Sequence, residues 1–115
     1  MITEDEIKAA GANVAPRITP ADIQANIASE HYFTAGDGVT GEHGGEGPHV
    51  YPSTLDLLTF CVLVLKNGFT VTGESACASP ENFNAEIGRK IARENAVAKV
   101  WPPMGYELKS KLSGH

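Results

Sequence analysis

The sequence predicts one domain of the α+β class, in which an antiparallel sheet packs against a long helix. Two apolar segments separated by Asn67-Gly68 have the pattern of a β-hairpin over residues 58–77. A helical pattern follows over residues from about 80 to 100. The length of 115 residues fits a single domain, and its 42% hydrophobic content is that of an ordinary folded protein.

Short helices are predicted at the N-terminus. Thr3 and Glu6 form the pattern of a capping box, which begins the first of these helices. Thr19 caps a second helix, with Pro20 at the first helical position. Both helices are short and depend on packing for their stability.

A short strand and a long loop are predicted next. The segment His31–Thr34 has the residue types that favour a strand. Six of the thirteen residues from Gly36 to Pro48 are glycine, so we expect a mobile glycine-rich loop over residues 36–53.

The hairpin is predicted to have a two-residue type I′ turn at Asn67-Gly68. This turn pairs Val64 with Val71 and makes one face of the hairpin the core. The predicted core face carries Phe60, Val62, Val64, Phe69 and Val71. The other face carries Thr70, Thr72 and Glu74 together with apolar residues of the first strand, which suits a ligand floor or a subunit contact. Because the first strand of the hairpin is apolar on both faces, we expect it to be a central strand of the sheet.

The long helix is predicted to begin at Ser79 as N-cap and to end before Trp101-Pro102-Pro103. Its apolar stripe consists of Phe83, Ile87 and Ile91, and we expect this stripe to face the core. The tail, residues 104–112, has the pattern of a short amphipathic helix.

Charge and composition exclude several classes of function. The net charge of −5 argues against general nucleic-acid binding, which needs a broad basic surface. The longest apolar run is far shorter than a membrane span. The acidic N-terminus does not have the pattern of a secretory signal, and two cysteines are too few for a disulfide scaffold. We therefore expect a protein of the reducing cytosol, without a membrane partner.

Two arginines on the long helix are the candidate anion site. Arg89 and Arg93 are four residues apart, so they lie on one side of the helix, with Asn82 on the same stripe. Paired guanidinium groups with an amide nearby suit a phosphate, because each planar fork donates two hydrogen bonds. Glu86, three residues before Arg89, offers an ion pair as the alternative, and spacing alone favours the ion pair.

The sequence gives little support for metal binding or catalysis. Glu42, His43, Glu46 and His49 are metal-ligand types, but their spacing matches no closed site, so we expect neither a metal nor another cofactor. The chain has no nucleophile motif and no phosphate-binding glycine loop before a helix. We expect a protein that is not an enzyme.

Long stretches of the chain are similar to a known phage family. These are Leu58–Phe83, Glu86–Ala96, Lys99–Pro102, Arg17–Pro20 and Glu30–Thr34. They resemble small tailed-phage proteins named after gene products forty-nine and sixty-six of two phages, and the resemblance covers about residues 17–112. More distantly, Asn67-Gly68-Phe69, Gly73–Ala76 and the two-arginine helix resemble the anti-Thoeris sponge proteins.

The resemblance to the sponges implies a function. Such proteins sequester cyclic ADP-ribose signals in the host cytoplasm without catalysis. On this resemblance Arg89 and Arg93 hold the phosphates. For the rest of such a ligand we expect Phe69 or Tyr32 to stack on the base, and Thr72, Glu74 or Asn82 to bond the ribose hydroxyls. The segment Gly36–Pro48 differs from the helical-hairpin insertion that builds a hexamer in the sponges, which favours a homodimer. The alternative is an early phage protein that binds and modulates a host protein.

Overall fold

A computed structural model describes residues 2–11, 15–45 and 50–114 of the chain. Its centre is a three-stranded antiparallel sheet of order β1-β2-β3, formed by Ile27–Thr34, Leu58–Leu65 and Thr70–Ala76. The helix α4 (Ala85–Ala98) packs on one face of this sheet. The predicted α+β class and the predicted central position of β2 are both confirmed.

Two short helices precede the sheet, as predicted. Thr3 caps α1 (Glu4–Ala9), and its hydroxyl accepts a hydrogen bond from the backbone nitrogen of Glu6 at 3.2 Å. Thr19 caps α2 (Pro20–Ala25) through a full capping box with Asp22. These helices begin where predicted because the capping hydrogen bonds are local and follow from residue type.

The hairpin differs from its prediction by one residue. Its turn contains three residues, Lys66–Gly68, because the backbone nitrogen of Leu65 donates to the carbonyl oxygen of Phe69 at 2.8 Å. Gly68 has a φ of 90°, which fits a three-residue loop whose last residue is left-handed. The predicted two-residue turn is therefore wrong, and Leu63, not Val64, lies opposite Val71.

The one-residue shift exchanges the two faces of the central strand. The buried face carries Thr59, Cys61, Leu63 and Leu65 of β2, with Val71 and Gly73 of β3. Phe60, Val62 and Val64, predicted as core, lie instead on the face opposite α4 and are half-buried. Thr72 and Glu74 share that open face, because they pair with Val62 and Phe60.

A helix occupies much of the segment that was predicted as a loop. The helix α3 (Ala35–Glu42) follows β1 directly and covers the first part of the range 36–53. Thr34 and Asp37 form a capping box at its start. Gly36 is buried, and a Cβ at this position would overlap with the side chains of Asp56 and Tyr51, so no larger residue fits there. Gly36 is thus required by packing, and the loop prediction is wrong over residues 36–42.

The main helix also begins later than predicted. Pro80–Asn82 forms one 3₁₀ turn, and the N-cap of α4 is Asn84, whose side chain accepts from the backbone nitrogen of Ile87 at 3.0 Å. Ser79, the predicted cap, makes no capping hydrogen bond. After α4 the chain enters a further helix, α5 (Trp101–Leu112), because proline is tolerated in the first helical turn.

Small residues, not the predicted isoleucines, join α4 to the sheet. Gly88, Ala92 and Ala96 are buried against it, whereas Ile87 and Ile91 are 56% and 42% exposed. A Cβ on Gly73 of β3 would overlap with the backbone of α4. The prediction that Phe83, Ile87 and Ile91 form the core stripe is therefore wrong for the two isoleucines. The core consists of Ile23, Cys61, Leu63, Leu65, Val71, Ala92, Ala96 and Val100.

Candidate functional site

A cavity of about 350 Å³ lies near the N-terminal end of α4, where the end of β1 meets the start of α3. Its volume is within the usual range of small-molecule sites. The walls combine one cation, one carboxylate, two threonines and aromatic side chains. The lining residues are Tyr32, Phe33, Thr34, Asp37, Thr59, Phe83, Ala85 and Arg89.

Arg89 brings the positive charge to this cavity. It follows Gly88, which is buried against the sheet, so the arginine emerges at the edge of the helix–sheet contact. Within residues 2–11, 15–45 and 50–114, its guanidinium group makes no hydrogen bond or ion pair, and the ion pair with Glu86 is not formed. The cavity is also lined by Ala85, the first residue of α4, and the helix dipole favours an anion at such an N-terminus.

Thr59 supplies an unusual buried hydroxyl. The residue is 3% exposed and lines the cavity, yet its side chain donates and accepts no hydrogen bond in the described part of the protein. Gly88 makes room for it, because a Cβ at residue 88 would come within 3.2 Å of the Thr59 Oγ1. An unsatisfied buried hydroxyl costs about 1–3 kcal/mol, so a polar ligand atom in the cavity would recover stability there.

Asp37 contributes a carboxylate to the lining of the cavity. Its Oδ2 accepts a hydrogen bond from the backbone nitrogen of Thr34 at 2.9 Å, and its own backbone nitrogen donates to the Thr34 hydroxyl at 3.1 Å. These two bonds fix the first turn of α3 and orient the side chain. A carboxylate retains further lone pairs, which can accept hydrogen bonds from the hydroxyl groups of a ligand.

Tyr32 closes the side of the cavity next to β1. Its hydroxyl donates to the Glu30 Oε1 at 2.8 Å. Burial raises the pKa of Tyr32, and the hydrogen bond to Glu30 raises it further, so the phenol stays neutral. The hydroxyl is thus already engaged, and the ring remains as an apolar wall.

Arg93, one turn after Arg89, belongs to a different environment. Its Nε lies 3.2 Å from the Glu30 Oε2, and its Nη2 donates to the Gln24 Oε1 at 2.7 Å. It lines a separate cavity of about 580 Å³ with Gln24, Glu94, Val97, Ala98 and Trp101. The two arginines are therefore neighbours on the helix, but only Arg89 is among the residues that line the first cavity.

The other predicted site residues are spread over the molecule. Tyr32 joins Arg89 in the cavity, whereas Thr72 and Glu74 lie on the open face of the sheet. Asn82 lines a separate small cavity of about 140 Å³ together with Ile87 and Ile91. Phe69 follows the hairpin turn and is 52% exposed. The structure thus brings together two of the seven.

Six of the residues that line the cavity were not predicted as site residues, and four of them carried a signal or an assignment in the sequence. Thr34 and Asp37 carry the pattern of a capping box, which a search for helix starts inside the glycine-rich segment would have found. Thr59 is the polar residue that interrupts the apolar run of β2, a detectable signal. Phe83 was assigned to the core stripe, and the structure shows that it is half-buried.

A metal site and a membrane-spanning helix are both missing from the described residues. They contain no group of three metal-ligating side chains that could hold an ion. Glu46 and His49, two of the four loop residues considered as ligands, lie outside the described residues. Across the described ranges, no helix has the length and apolar character needed to cross a membrane.

The comparison with protein families agrees with the resemblance seen in the sequence. Residues 18–112 match the model of the phage protein family described as N4 Gp49/phage Sf6 gene 66. The chain belongs to this family. The Gp49/gene 66 match includes the sheet, α3, α4 and α5, and therefore every residue that lines the cavity of Arg89. No curated protein and no solved structure matches the chain.

Proposed function

We propose that this phage protein is an anti-defence sponge, which binds a cyclic nucleotide immune signal of the cyclic ADP-ribose type in the host cytoplasm and sequesters it without catalysis. The observation that carries the proposal is that one cavity contains two polar groups without hydrogen-bond partners. The Arg89 guanidinium and the Thr59 hydroxyl line the same cavity and have no partner within the described residues.

The chemistry of the cavity supports a ligand with both phosphate and sugar groups. Arg89 and the nearby start of α4 suit a phosphate, because a guanidinium group donates a pair of hydrogen bonds and the helix dipole attracts negative charge. Asp37 can accept hydrogen bonds from ribose hydroxyls. The rings of Tyr32 and Phe83 offer apolar surfaces on which a base can stack.

The same cavity favours binding over catalysis. Among the described lining residues, Asp37 is the one carboxylate, and none is a histidine, a cysteine or a serine. A general acid–base mechanism needs a group placed and free to move a proton. A sponge needs affinity alone, so we expect the ligand to be recovered chemically intact after the protein is denatured.

Calorimetric titration with cyclic ADP-ribose isomers and cyclic dinucleotides tests the proposal. We expect one isomer to bind with a dissociation constant below about 1 μM, a free energy beyond roughly −8 kcal/mol. Chromatography of the released ligand distinguishes a sponge from a hydrolase. No binding by any compound of the panel would contradict the proposal and favour the alternative, a protein that binds a host protein.

Variants of the cavity locate the site. Arg89→Ala should weaken binding by about 10- to 100-fold, because it removes a charge-assisted contact. Thr59→Val keeps the side-chain shape and should weaken binding by about fivefold. Lys90→Ala is the matched control, since it removes the same charge from the adjacent residue of α4, which does not line the cavity.

Arg93→Ala separates the two arginines predicted from the sequence. Because Arg93 pairs with Glu30 and Gln24, this change should lower stability and leave affinity nearly unchanged. The double variant of Arg89 and Arg93 should lose binding while it still folds. Binding by that double variant at the affinity of the original protein would place the ligand elsewhere.

A further inference from the structure

The strand β3 forms one edge of the sheet, and its hydrogen bonds to β2 show which of its backbone groups face outward. At the turn, the backbone nitrogen of Leu65 donates to the carbonyl oxygen of Phe69 at 2.8 Å. At the other end of the hairpin, the backbone nitrogen of Cys77 donates to the carbonyl oxygen of Leu57 at 3.1 Å. In an antiparallel pair, bonded and unbonded positions alternate, so the even-numbered residues of β3 direct their backbone groups away from β2. These residues are Thr70, Thr72, Glu74 and Ala76.

This outward edge has little to protect it. In the described part of the protein, β3 has no strand on its outer side, and the backbone nitrogens of Thr72, Glu74 and Ala76 donate no hydrogen bond. The Nδ2 of Asn95 donates to the carbonyl oxygen of Glu74 at 2.8 Å, as the N–H of a neighbouring strand would do. The strand contains neither lysine nor proline, which commonly protect an edge. Such an edge is a template for the addition of another strand.

An apolar wall stands beside the outward edge of β3. Ile87 and Ile91 of α4 are exposed, and both line the cavity of about 140 Å³ at the end of β3. A further cavity of about 440 Å³ continues along the same edge, between Gly73 and Asn95. The outward edge of β3 and the side of α4 that carries the two isoleucines therefore form a groove, the β3–α4 groove.

The opposite edge of the sheet is less suitable for strand addition. The strand β1 has a register shift between Ile27 and Ser29, and such an irregularity interrupts a continuous edge. At the other end of β1, the backbone nitrogen of Thr34 already donates to the Oδ2 of Asp37 at 2.9 Å. The free edge that is regular and flanked by apolar side chains is that of β3.

The two faces of an added strand would meet different surroundings. Side chains on its α4 face would contact Ile87 and Ile91, whereas those on its other face would lie beside Thr72 and Glu74. The carboxylate of Glu74 forms no ion pair with any described residue. The first 88 residues contain twelve acidic and three basic side chains, so the surroundings also favour a basic partner. A strand in which apolar residues alternate with lysine or arginine therefore complements both faces.

We propose that the β3–α4 groove binds an extended segment of another protein, which joins the sheet as a fourth strand beside β3. Backbone hydrogen bonds hold the segment, its apolar residues pack on Ile87 and Ile91, and its basic residues meet Glu74. A second copy of β3 fits less well, because β3 contains no basic residue to pair with Glu74. Arg89 and Ile91 lie about 200° apart around α4, so the groove is separate from the cavity of Arg89 and its occupation does not depend on nucleotide binding.

Amide hydrogen exchange measured by NMR tests the proposal, with a synthetic peptide of eight residues that alternates valine and lysine as the probe. In the protein alone, the amides of Thr72, Glu74 and Ala76 should exchange quickly, whereas the odd-numbered amides of β3 should be protected by β2. Saturating peptide should slow the three outward amides by at least about tenfold. No binding at about 1 mM peptide, or binding that leaves these amides fast, would overturn the proposal. Protection without peptide that rises with protein concentration would assign the edge to a second copy and would also overturn it.

Modified peptides test whether the segment binds as a strand. A strand directs only every second N–H towards one neighbour, so methylation of one alternate set of peptide nitrogens should abolish binding and methylation of the other set should not. A peptide with four valines followed by four lysines should bind at least about tenfold more weakly, because its side chains no longer match the two faces. Equal binding by the two methylated peptides, or by the alternating and block peptides, would exclude strand addition.

A variant of α4 tests the apolar wall. Ile87→Lys should weaken binding of the alternating peptide by about tenfold, because it replaces an apolar contact with a charge that repels the lysines. Leu112→Lys is the matched control, since Leu112 is 59% exposed, close to the 56% of Ile87, and lies on α5. Because both positions are exposed, both variants should keep the circular dichroism of the folded protein. Equal affinities of the two variants would place the peptide outside the β3–α4 groove.

Discussion

Gly73 offers the sharpest test of how α4 is held against the sheet. A Cβ at this residue would come within 2.8 Å of the carbonyl carbon of Asn95 and closer still to the backbone of Ala92 and Ala96. These atoms belong to the backbone of a helix, so they cannot rotate away as a side chain could. We therefore expect Gly73→Ala to force α4 away from β3.

The size of the effect follows from this geometry. Carbon atoms in contact prefer a separation of about 3.5–4.0 Å, so the helix would have to move by roughly 1 Å. A gap of this size removes between a quarter and a half of the dispersion energy along the contact. Overpacking alone costs about 1–3 kcal/mol. Because α4 covers most of the small core, we expect a loss of about 3–4 kcal/mol, a large share of the stability of an ordinary domain.

Urea unfolding followed by circular dichroism measures this loss. Gly38→Ala is the matched control, because Gly38 lies within α3 and a Cβ there would have no atom within 4 Å. The control should gain up to about 1 kcal/mol from helix propensity. A loss below about 1 kcal/mol in Gly73→Ala would mean that α4 does not approach β3 as closely as the structure shows.

Three further predictions concern single residues. The hydrogen bond from Tyr32, and then Arg93, hold the pKa of Glu30 below its ordinary value, so Glu30 adds stability at neutral pH that is lost as the pH falls through its folded-state pKa. Glu30→Gln should therefore lower stability at about pH 7 and flatten the loss towards about pH 3 in acid-unfolding curves. Asn84→Ala should lower the free energy of unfolding in urea by about 1 kcal/mol, because Asn84 is the N-cap of α4. Ser79→Ala should lower it much less, because Ser79 makes no capping hydrogen bond. A larger loss in Ser79→Ala than in Asn84→Ala would mean that Ser79 is the N-cap after all. Gly68→Ala should cost about 1 kcal/mol in the same assay, because its φ of 90° strains any residue with a Cβ, and no loss would argue for a different turn.

The sequence predicted the features that depend on neighbouring residues. Thr3 and Thr19 begin helices because their hydroxyl groups bond backbone nitrogens three residues later. The strand Leu58–Leu65 was identified as central because it is apolar on both faces. In each case the physical cause lies within a few residues of its effect.

The register of the hairpin could not be fixed in the same way. Asn67-Gly68 is compatible with a two-residue turn, and also with a three-residue turn that includes Lys66. The choice depends on which face of β2 packs against α4, because Gly73 must face the helix to allow its close approach. Since both faces of β2 are apolar, the pattern of that strand could not exclude the wrong register, and one residue of shift exchanged every side chain.

Glycine content misled the prediction of α3 for a related reason. Glycine disfavours a helix by about 1 kcal/mol per residue, and Ala35–Glu42 contains three of them. The capping box of Thr34 and Asp37 offsets part of this cost, and Gly36 allows contact with Tyr51 and Asp56 from a later segment. The low helix propensity of the glycines can be read from the segment itself. The tertiary contact that outweighs it involves residues fifteen to twenty positions later in the sequence.

The two arginines of α4 show where sequence reasoning about a binding site ends. Helical spacing places Arg89 and Arg93 on one side, and this part of the reasoning is geometric. Which of them is free to bind an anion depends on Glu30, which precedes Arg93 by 63 residues and reaches it through the pairing of β1 with β2. The same pairing places Thr34 opposite Thr59, so the register of β1 both occupies Arg93 and brings the buried hydroxyl towards Arg89. A shift of β1 by one residue would turn Glu30 to the open face of the sheet and remove the ion pair of Arg93. The register of the sheet therefore decides which of the two arginines is free to bind an anion, and the helix that carries them does not.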